Sequence, residues 1–270
     1  MRQLNGSDLA GFIKERQAHQ VRELIQAHGV TPKLAIVQTN HTPIIDAYVR
    51  LKKAYGVDVQ VEVEAHVIDQ ADALKTIEQL NADPTVHGII IQLPVAEPGQ
   101  TGELVNAVDP TKDVDGLGEQ PAFDPATPTA VNWLLAGYNI ELKGKVIVIV
   151  GQGRLVGAPL ARMFRESGLT VETADITTED LGAVTRKADV LISATGQPGL
   201  IKSDMIMPGA VVVDAGVATD AGKMVGDLAD DVRERGDLSL TPPKGGVGPL
   251  TVCALFENVI ESARRTVPKA

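Results

Sequence analysis

Tyr48 and Lys52 are the first residues whose types and spacing suggest chemistry, because they lie four positions apart. On a helix this spacing puts both side chains on one face. A lysine in a cleft that excludes water loses its proton readily, so its amine can take part in proton transfer. A tyrosine ring beside it can stack on a flat ligand or orient the amine. The alternative is a solvated helix face, since Arg50 and Lys53 are neighbouring charges.

Two aspartates, Asp113 and Asp115, form a second candidate group in a loop that follows Pro110. Two carboxylates at this spacing can bind amino or guanidino groups of a ligand, or a metal ion. The alternative is an Asx-turn that only shapes the loop. No third metal ligand lies within sequence reach, and the five histidines do not have zinc-binding spacing. The sequence therefore predicts no metal site.

A glycine-rich turn follows the branched apolar run of residues 146–150, and helix-forming residues follow the turn. Strand, glycine turn and helix in this order are typical of a site for a dinucleotide pyrophosphate. Gly151 allows a tight turn, Gly153 lets the backbone approach a phosphate, and Gly157 lets helix and strand pack closely. The glycine spacing is one residue longer than the usual fingerprint, so a turn without a ligand remains the alternative.

A second glycine-rich segment, residues 244–249, precedes the last apolar stretch of the chain. Three glycines and a proline at a helix start favour a tight, shaped loop that can wrap a cofactor. A flexible connection is the alternative.

The elements that must position these residues follow from the hydrophobic periodicity. Helices are predicted for residues 7–28, 43–55, 71–80, 129–136 and 250–263. Strands are predicted for residues 34–37, 57–67, 88–91, 146–150, 170–174, 188–193 and 210–213. Gly56 is expected to end the second helix, and residues 94–128 are expected to run as surface loop.

Alternation of strands and helices predicts an α/β fold of two domains, each with a mostly parallel sheet and the second Rossmann-like. The first domain is predicted at 1–125, completed by the C-terminal helix 250–270, and the second at 126–249. Ligands of such sheets bind beyond the carboxyl ends of the strands, which puts Gln92 in a crevice. We expect an interdomain cleft.

The composition limits the classes of partner. The chain has 270 residues, of which 44% are hydrophobic, and its formal net charge is −10. An acidic surface argues against nucleic acid or anionic membranes as partners. The single cysteine excludes an internal disulfide and suits a reducing compartment. With no apolar signal region and no spanning run, the sequence predicts a soluble cytoplasmic protein.

Four motifs occur in order and at appropriate separations. They are Pro43-x-x-x-x-Tyr48-Val49-x-x-Lys52, Gln92-Leu93-Pro94, Asp109-Pro110-x-Lys112-Asp113-Val114-Asp115-Gly116 and Gly245-Gly246-Val247-Gly248-Pro249-Leu250-Thr251. With them the chain closely resembles the bifunctional methylenetetrahydrofolate dehydrogenase/cyclohydrolase family over nearly its whole length. The segments Gly196-Gln197-Pro198 and Val213-Asp214-x-Gly216 resemble the cofactor domain of that family.

The resemblance implies hydride transfer from 5,10-methylenetetrahydrofolate to NAD or NADP, then hydrolysis of the methenyl product to 10-formyltetrahydrofolate, in a homodimer. It implies that Lys52 is the catalytic lysine, Tyr48 its stacking neighbour, Gln92 the residue that positions it, and Asp115 the anchor of the pterin ring. The other residues implied to bind the folate substrate are Leu93, Gly246 and Pro249. The residues implied to bind the dinucleotide are Gly151, Gly153, Arg154, Leu155, Val156, Asp175, Thr195, Gly196, Val217 and Gly245.

The choice between NAD and NADP depends on Asp175, which ends the second strand of the dinucleotide unit about twenty residues after the glycine turn. An acid there binds a ribose 2′-hydroxyl and repels a 2′-phosphate, which favours NAD slightly. NADP stays open, since most relatives prefer it and Arg154 could reach a phosphate. Asp175 could instead cap a helix that follows Ile176.

The sequence departs from the family pattern at four places. Ile45 stands where the family has serine, Ala126 where it has cysteine, and Lys244 where it has proline. The turn 151–153 reads Gly-Gln-Gly instead of Gly-Arg-Ser. Three alternatives therefore stay open beside the bifunctional enzyme: a cyclohydrolase with an impaired dinucleotide site, a non-catalytic folate or nucleotide-binding module, and a generic small-acid dehydrogenase.

Overall fold

The structure is a computed structural model that describes residues 2–220 and 223–268. The chain folds as two compact units, one of Met1–Ala10 with Thr127–Thr251, the other of Gly11–Ala126 with Val252–Ala270. The predicted boundaries placed residues 1–10 with the first domain instead. They cluster with the second because the strand Arg2–Gln3 pairs in parallel with Ser239–Leu240 at the edge of that unit's sheet.

The described residues form strands and helices with the following bounds. The strands are β1 (Arg2–Gln3), β2 (Lys33–Gln38), β3 (Glu62–Val67), β4 (Gly88–Ile91), β5 (Ile147–Val150), β6 (Val171–Ala174), β7 (Val190–Ser193), β8 (Val211–Asp214), β9 (Ala218–Asp220), β10 (Lys223–Val225) and β11 (Ser239–Leu240). The helices are α1 (Gly6–His28), α2 (Pro43–Val59), α3 (Ala73–Ala82), α4 (Thr101–Asn106), α5 (Ala126–Gly137), α6 (Gly157–Glu166), α7 (Leu181–Thr185), α8 (Asp230–Arg233) and α9 (Val247–Arg265).

Among the described residues, the sheet of three strands and the sheet of six strands are both parallel, as the alternation of strands and helices predicted. The smaller sheet has the order β3-β2-β4, and the larger has the order β1-β11-β8-β7-β5-β6. Strands β4, β5 and β7 are buried along their whole length, which explains why they read as continuous apolar runs. In the larger sheet β5 lies between β6 and β7, so the strands that follow it in sequence stand on opposite sides of the strand that carries the glycine turn.

Each sheet is packed against helices by aliphatic side chains. In the smaller sheet Ala35, Val37 and Ile89 pack with Ile77 of α3 and Leu104 of α4. In the larger sheet the core includes residues of β5, β7 and β8 together with Val232 of α8. None of the described helices is long and apolar enough to cross a membrane.

The second helix continues beyond its predicted end. Gly56 is buried inside α2, which ends at Val59, and Gln60 takes the left-handed conformation (φ 62°) as the C-cap. A methyl group on Gly56 would overlap the side chain of Val63, so the glycine allows α2 to approach β3 instead of ending the helix. The predicted strand 57–67 is correspondingly wrong at its start, since β3 begins at Glu62.

Residues 94–128 are not only loop. They contain a short 3₁₀ turn at Pro98–Gln100 and the helix α4, and the helix α5 begins at Ala126. Leu104 and Val105 of α4 are buried against the smaller sheet. The helix is six residues long, too short for hydrophobic periodicity to mark it among prolines and glycines.

Candidate active site

Helix α2 presents Tyr48 and Lys52 on one face, as their spacing predicted. Pro43 occupies its first turn, and the side chain of Thr42 caps it by accepting a hydrogen bond from the Ile45 N–H at 3.2 Å. Both Tyr48 and Lys52 are partly buried, and Lys52 Nζ lies 5.9 Å from the centroid of the Tyr48 ring. The alternative of a fully solvated helix face is therefore wrong at these two positions.

Gln92 is the residue directly after β4 and is buried, with only 8% of its surface exposed. Its Oε1 accepts a hydrogen bond of 2.9 Å from Lys52 Nζ. Its Nε2 donates to the carbonyl oxygen of Leu93 at 3.1 Å, which turns the amide oxygen toward the lysine. The carboxyl end of β4 thus meets the face of α2 that carries Tyr48 and Lys52, where the strand-end rule places ligands.

The two loop aspartates have different surroundings. Asp113 is buried, and its carboxylate accepts hydrogen bonds from the N–H groups of Gly116 (3.0 Å) and Gly118 (2.8 Å). Burial raises the pKa of Asp113, and these backbone donors oppose the shift. Asp113 therefore makes the Asx-type turn that the sequence allowed, and Asp115 alone is left to face the lysine.

Lys52 and Asp115 influence each other electrostatically. Burial lowers the pKa of the Lys52 ammonium, and the charge of Asp115 opposes that shift. Burial raises the pKa of Asp115 to about 6, with Lys52 lowering it and Asp113 raising it. Desolvation thus pushes both groups toward their neutral forms, which is the condition that proton transfer near neutral pH requires.

The glycine turn after β5 packs tightly against the start of the next helix. Gly151 has φ 91°, and a methyl group on Gly157 would overlap the carbonyl of Gly151, so the turn closes tightly against the start of α6. At Gly153 an added methyl would meet nothing within 4 Å. The space beside Gly153 is therefore open, and the turn leads into the N-terminus of a ten-residue helix, an end of a helix that favours an anion.

The other predicted dinucleotide residues lie at the carboxyl ends of neighbouring strands. Asp175 follows β6, Thr195 and Gly196 follow β7, and Val217 follows β8. Val217 is exposed, and its carbonyl oxygen lies 3.4 Å from where a methyl on Gly196 would be. Exposed side chains of the glycine turn complete this edge, namely Arg154 and Leu155, with the partly buried Val156 beside them.

Asp175 does not cap a helix. Its Oδ1 accepts hydrogen bonds from the N–H and the hydroxyl of Thr177, at 2.9 and 2.7 Å. The next helix, α7, begins at Leu181 and is capped by the side chain of Asp180. The helix-cap interpretation of Asp175 is therefore wrong. The carboxylate is exposed, and its hydrogen bonds with Thr177 lower its pKa.

The second glycine-rich segment is a tight loop, as its composition predicted. Gly245 has φ 80°, and its carbonyl accepts a hydrogen bond of 3.0 Å from the Ser7 N–H. A methyl on Gly6 would overlap the carbonyl of Gly246. Gly245, Gly246 and Pro249 all belong to the unit of the larger sheet, whereas Lys52 belongs to the other unit.

The departures from the family pattern have distinct surroundings. Ile45 is buried in α2, and Ala126 is buried at the start of α5, where its N–H donates to the carbonyl oxygen of Asp115 at 3.4 Å. Lys244 is exposed. Two of the four departures therefore lie in the unit that carries Lys52, and Ala126 contacts the Asp115 segment through its backbone.

One buried polar residue beside the larger sheet was not found from the sequence. Asp227 is fully buried and accepts hydrogen bonds from residues at the end of β7. A glycine before it and an apolar residue after it are the only local signals, and they resemble an ordinary turn. Within residues 2–220 and 223–268 no group of His, Cys, Asp and Glu has an arrangement that could hold a metal ion.

A parallel sheet with a glycine turn between a buried strand and the helix that follows it is typical of the class of dinucleotide-binding α/β proteins. Comparison with known proteins is more specific. The catalytic-domain model of the tetrahydrofolate dehydrogenase/cyclohydrolase family matches residues 4–115, and the NAD(P)-binding-domain model of the same family matches residues 125–267. The chain belongs to this family.

Individual relatives are similar to the chain over nearly its full length. The bifunctional protein FolD of Lactobacillus helveticus is 38% identical over 276 residues, covering 97% of both chains. The crystal structure of the Campylobacter jejuni bifunctional FolD enzyme has a TM-score of 0.91 and 33% identity, covering 99% of this chain and 100% of that one. The Trypanosoma brucei FolD, solved with NADP and an inhibitor, has a TM-score of 0.89 and 28% identity, covering 97% of both chains.

The chain is therefore a bifunctional enzyme of folate one-carbon metabolism, as the resemblance predicted. It oxidises 5,10-methylenetetrahydrofolate with a nicotinamide dinucleotide, and it hydrolyses the methenyl product to 10-formyltetrahydrofolate. Both an oxidoreductase and a hydrolase activity thus reside in one chain.

Proposed function

We propose that Lys52 is the proton-transfer group of this enzyme, held by Gln92 and tuned by Asp115. The observation that carries the proposal is the 2.9 Å hydrogen bond from a desolvated lysine amine to an oriented amide oxygen. Tyr48 contributes its ring beside the amine as a surface on which the flat pterin can stack. Leu93 follows Gln92 after the end of β4 and is proposed to contact the folate, and Asp115 is the proposed anchor of the pterin ring.

The charge that develops during the first reaction supports a neutral Lys52. The bound dinucleotide accepts a hydride from the methylene carbon, which becomes a positive centre between two nitrogens. An ammonium group close to that carbon would oppose the step. Burial lowers the pKa of Lys52, which favours the uncharged amine and removes this repulsion.

The same amine then serves the hydrolysis. Water attacks the methenyl carbon, and Lys52 takes the proton that the water releases as a general base. When the bond between this carbon and the departing nitrogen breaks, Lys52 returns a proton to that nitrogen as a general acid. The amide of Gln92 stabilises the amine in either protonation state, because its oxygen accepts a hydrogen bond from both.

For the dinucleotide we propose binding at the carboxyl ends of β5 to β8, by the glycine turn and the predicted residues Asp175, Thr195, Gly196 and Val217, with Gly245 from the second glycine loop. We assign NAD as the slightly favoured form, since the exposed Asp175 carboxylate would repel a 2′-phosphate. NADP is the second candidate, because the Trypanosoma brucei relative binds NADP and Arg154 is exposed at the turn.

We also propose that Gly246 and Pro249 contact the folate, that the enzyme is a cytoplasmic homodimer, and that its 10-formyl product supplies purine biosynthesis. The edge strand β3 supports a dimer, since it pairs only with β2 among the described residues and carries the exposed Val67. Light scattering of the purified enzyme at micromolar concentration would give the mass directly, and a monomer would contradict the dimer.

The decisive experiment replaces Lys52 by Met, which has similar length and no proton to transfer. Methenyltetrahydrofolate hydrolysis, followed by absorbance, is expected to fall by about 10²- to 10⁴-fold. Lys53→Met is the matched control, because Lys53 is the exposed neighbour on the same helix, and it should leave the rate unchanged. A Lys52→Met enzyme with a normal hydrolysis rate would refute the role.

A further inference from the structure

Asp227 is a buried carboxylate that the proposed reaction does not use. Its side chain has no exposed surface. Its Oδ2 accepts hydrogen bonds from the hydroxyl of Ser193 at 2.6 Å and from the N–H of Thr195 at 2.7 Å. Its Oδ1 has no hydrogen-bond partner in the part of the chain that the structure describes. Burial of a carboxylate is costly, and an apolar side chain of similar volume often packs as well or better.

Asp227 and Asp214 each pack against a glycine that lies close in sequence to the other aspartate. A methyl on Gly216 would overlap the Asp227 carboxylate, and a methyl on Gly226 would overlap the Asp214 carboxylate. Asp214 also accepts hydrogen bonds from the Asp227 N–H at 3.0 Å and from the Gly216 N–H at 3.2 Å. Each carboxylate therefore lies directly against the backbone of the segment that carries the other.

The residues held in this way lie at the carboxyl ends of β7 and β8, where the dinucleotide is proposed to bind. Ser193 is the last residue of β7, Asp214 is the last residue of β8, and the two are paired in register. The turn that follows β7 begins with Thr195 and continues through Gly196, whose φ is 67°. The exposed Val217 directly follows Gly216. Asp227 thus contacts the backbone of both segments, through a hydrogen bond to Thr195 and close packing against Gly216.

We propose that Asp227 is a positioning residue for dinucleotide binding. Its carboxylate holds the Thr195–Gly196 turn by the Thr195 N–H and holds the Gly216–Val217 segment by close contact. The inference rests on the proposed assignment of the dinucleotide site to these segments. It assigns to Asp227 no contact with the dinucleotide, because Gly216 covers its free oxygen.

The test compares Asp227→Ala, Asp227→Asn and Ser193→Ala in the full-length enzyme. Fluorescence titration with NADH and NADPH gives the dissociation constants, and absorbance gives the hydrolysis rate with methenyltetrahydrofolate, which needs no dinucleotide. In Asp227→Ala we expect the dissociation constant to rise by about tenfold or more, with the hydrolysis rate unchanged. Asp227→Asn should restore most of the affinity, because an amide oxygen can accept both hydrogen bonds that Oδ2 accepts.

Asp237→Asn is the matched control. Asp237 belongs to the same unit and also holds a backbone N–H, that of Gly209 at 3.0 Å, but this glycine precedes the amino end of β8. The control should lower stability without changing the dissociation constant. If Asp227→Ala does not fold, Ser193→Ala decides, since it removes one of the two bonds to Oδ2 and should raise the dissociation constant several-fold.

Two results would overturn the inference. One is an unchanged dissociation constant in Asp227→Ala, or in Ser193→Ala where the first variant does not fold. The other is a loss of dinucleotide binding and hydrolysis by the same factor, which would indicate general unfolding. Gly153→Ala shows whether the positioning role or the proposed dinucleotide site has failed, because it tests the glycine turn directly. Weaker binding in Gly153→Ala with normal binding in Asp227→Ala would reject only the positioning role.

Discussion

Lys52 Nζ donates a 2.9 Å hydrogen bond to Oε1 of Gln92, so the buried amine is held by a neutral amide and not by a carboxylate. A neutral acceptor orients the amine without adding the Coulomb attraction that would stabilise the ammonium form. Desolvation therefore remains the largest influence on Lys52 and lowers its pKa. In the proposed mechanism this pairing lets Lys52 be uncharged during hydride transfer and still exchange protons during hydrolysis.

Replacing Gln92 by Glu should reverse this balance. A carboxylate at the same distance favours the ammonium form and raises the pKa of Lys52, by about 1 to 3 units. Both reactions should then slow at pH 7, hydrolysis on the order of tenfold, and recover as the pH is raised. Gln120→Glu adds the same charge at an exposed position of the same unit and serves as the control. Identical pH–rate profiles for Gln92→Glu and the natural enzyme would contradict the role of the amide.

Asp115 should make stability depend on pH below neutrality. Its folded pKa of about 6 lies above the usual aspartate value of 3.8, so the folded state binds the proton more tightly than the unfolded state. This contribution is fully present below pH 3.8 and is lost as the pH rises through 6. Asp115→Asn removes it, and the variant should therefore gain stability relative to the natural enzyme between pH 4 and 7, by roughly 3 kcal/mol.

Urea unfolding at several pH values measures that difference. The exposed Asp124 of the same unit, replaced by Asn, is the control and should follow the natural enzyme closely. If the stability difference between Asp115→Asn and the natural enzyme stays constant across this pH range, burial does not raise the pKa of Asp115.

Asp175 should decide between the two dinucleotides. Replacing it by Ser removes the negative charge that repels a 2′-phosphate while leaving a group able to bind a hydroxyl. The ratio of kcat/KM for NADP to that for NAD is expected to increase at least tenfold, as an order-of-magnitude estimate for one removed charge. Glu179→Gln, an exposed carboxylate four residues further on, should leave the ratio unchanged. A natural enzyme with strong NADP preference would already argue against the assignment.

The glycine turn offers a pair of substitutions with opposite outcomes. Gly157→Ala puts a methyl against the Gly151 carbonyl, and should cost about 1 to 3 kcal/mol of unfolding free energy. Gly153→Ala puts its methyl into open space, so stability should change by less than about 0.5 kcal/mol while the dissociation constant for the dinucleotide increases. Thermal unfolding and fluorescence titration separate the two effects. Normal dinucleotide affinity in Gly153→Ala would place the phosphates elsewhere.

Most of the secondary structure could be predicted from the sequence, because buried parallel strands and long amphipathic helices have local signatures. The strands β4, β5 and β7 were recognised from unbroken apolar runs, and α1 and α9 from helical spacing. The prediction that Gly56 ends α2 was wrong. Its role is a close approach between α2 and β3, and a contact between two elements leaves no trace in the local pattern.

The sequence by itself determined the α/β fold, the glycine turn and the shared helical face of Tyr48 and Lys52, since each depends on spacing along the chain. Only the tertiary structure separated Asp113 from Asp115, because two carboxylates two residues apart differ only in what surrounds them. It alone also revealed Asp227, whose partners Ser193 and Thr195 lie more than thirty residues away. Burial and desolvation arise from segments distant in sequence, and they decide which polar groups do chemistry and which hold the backbone in place.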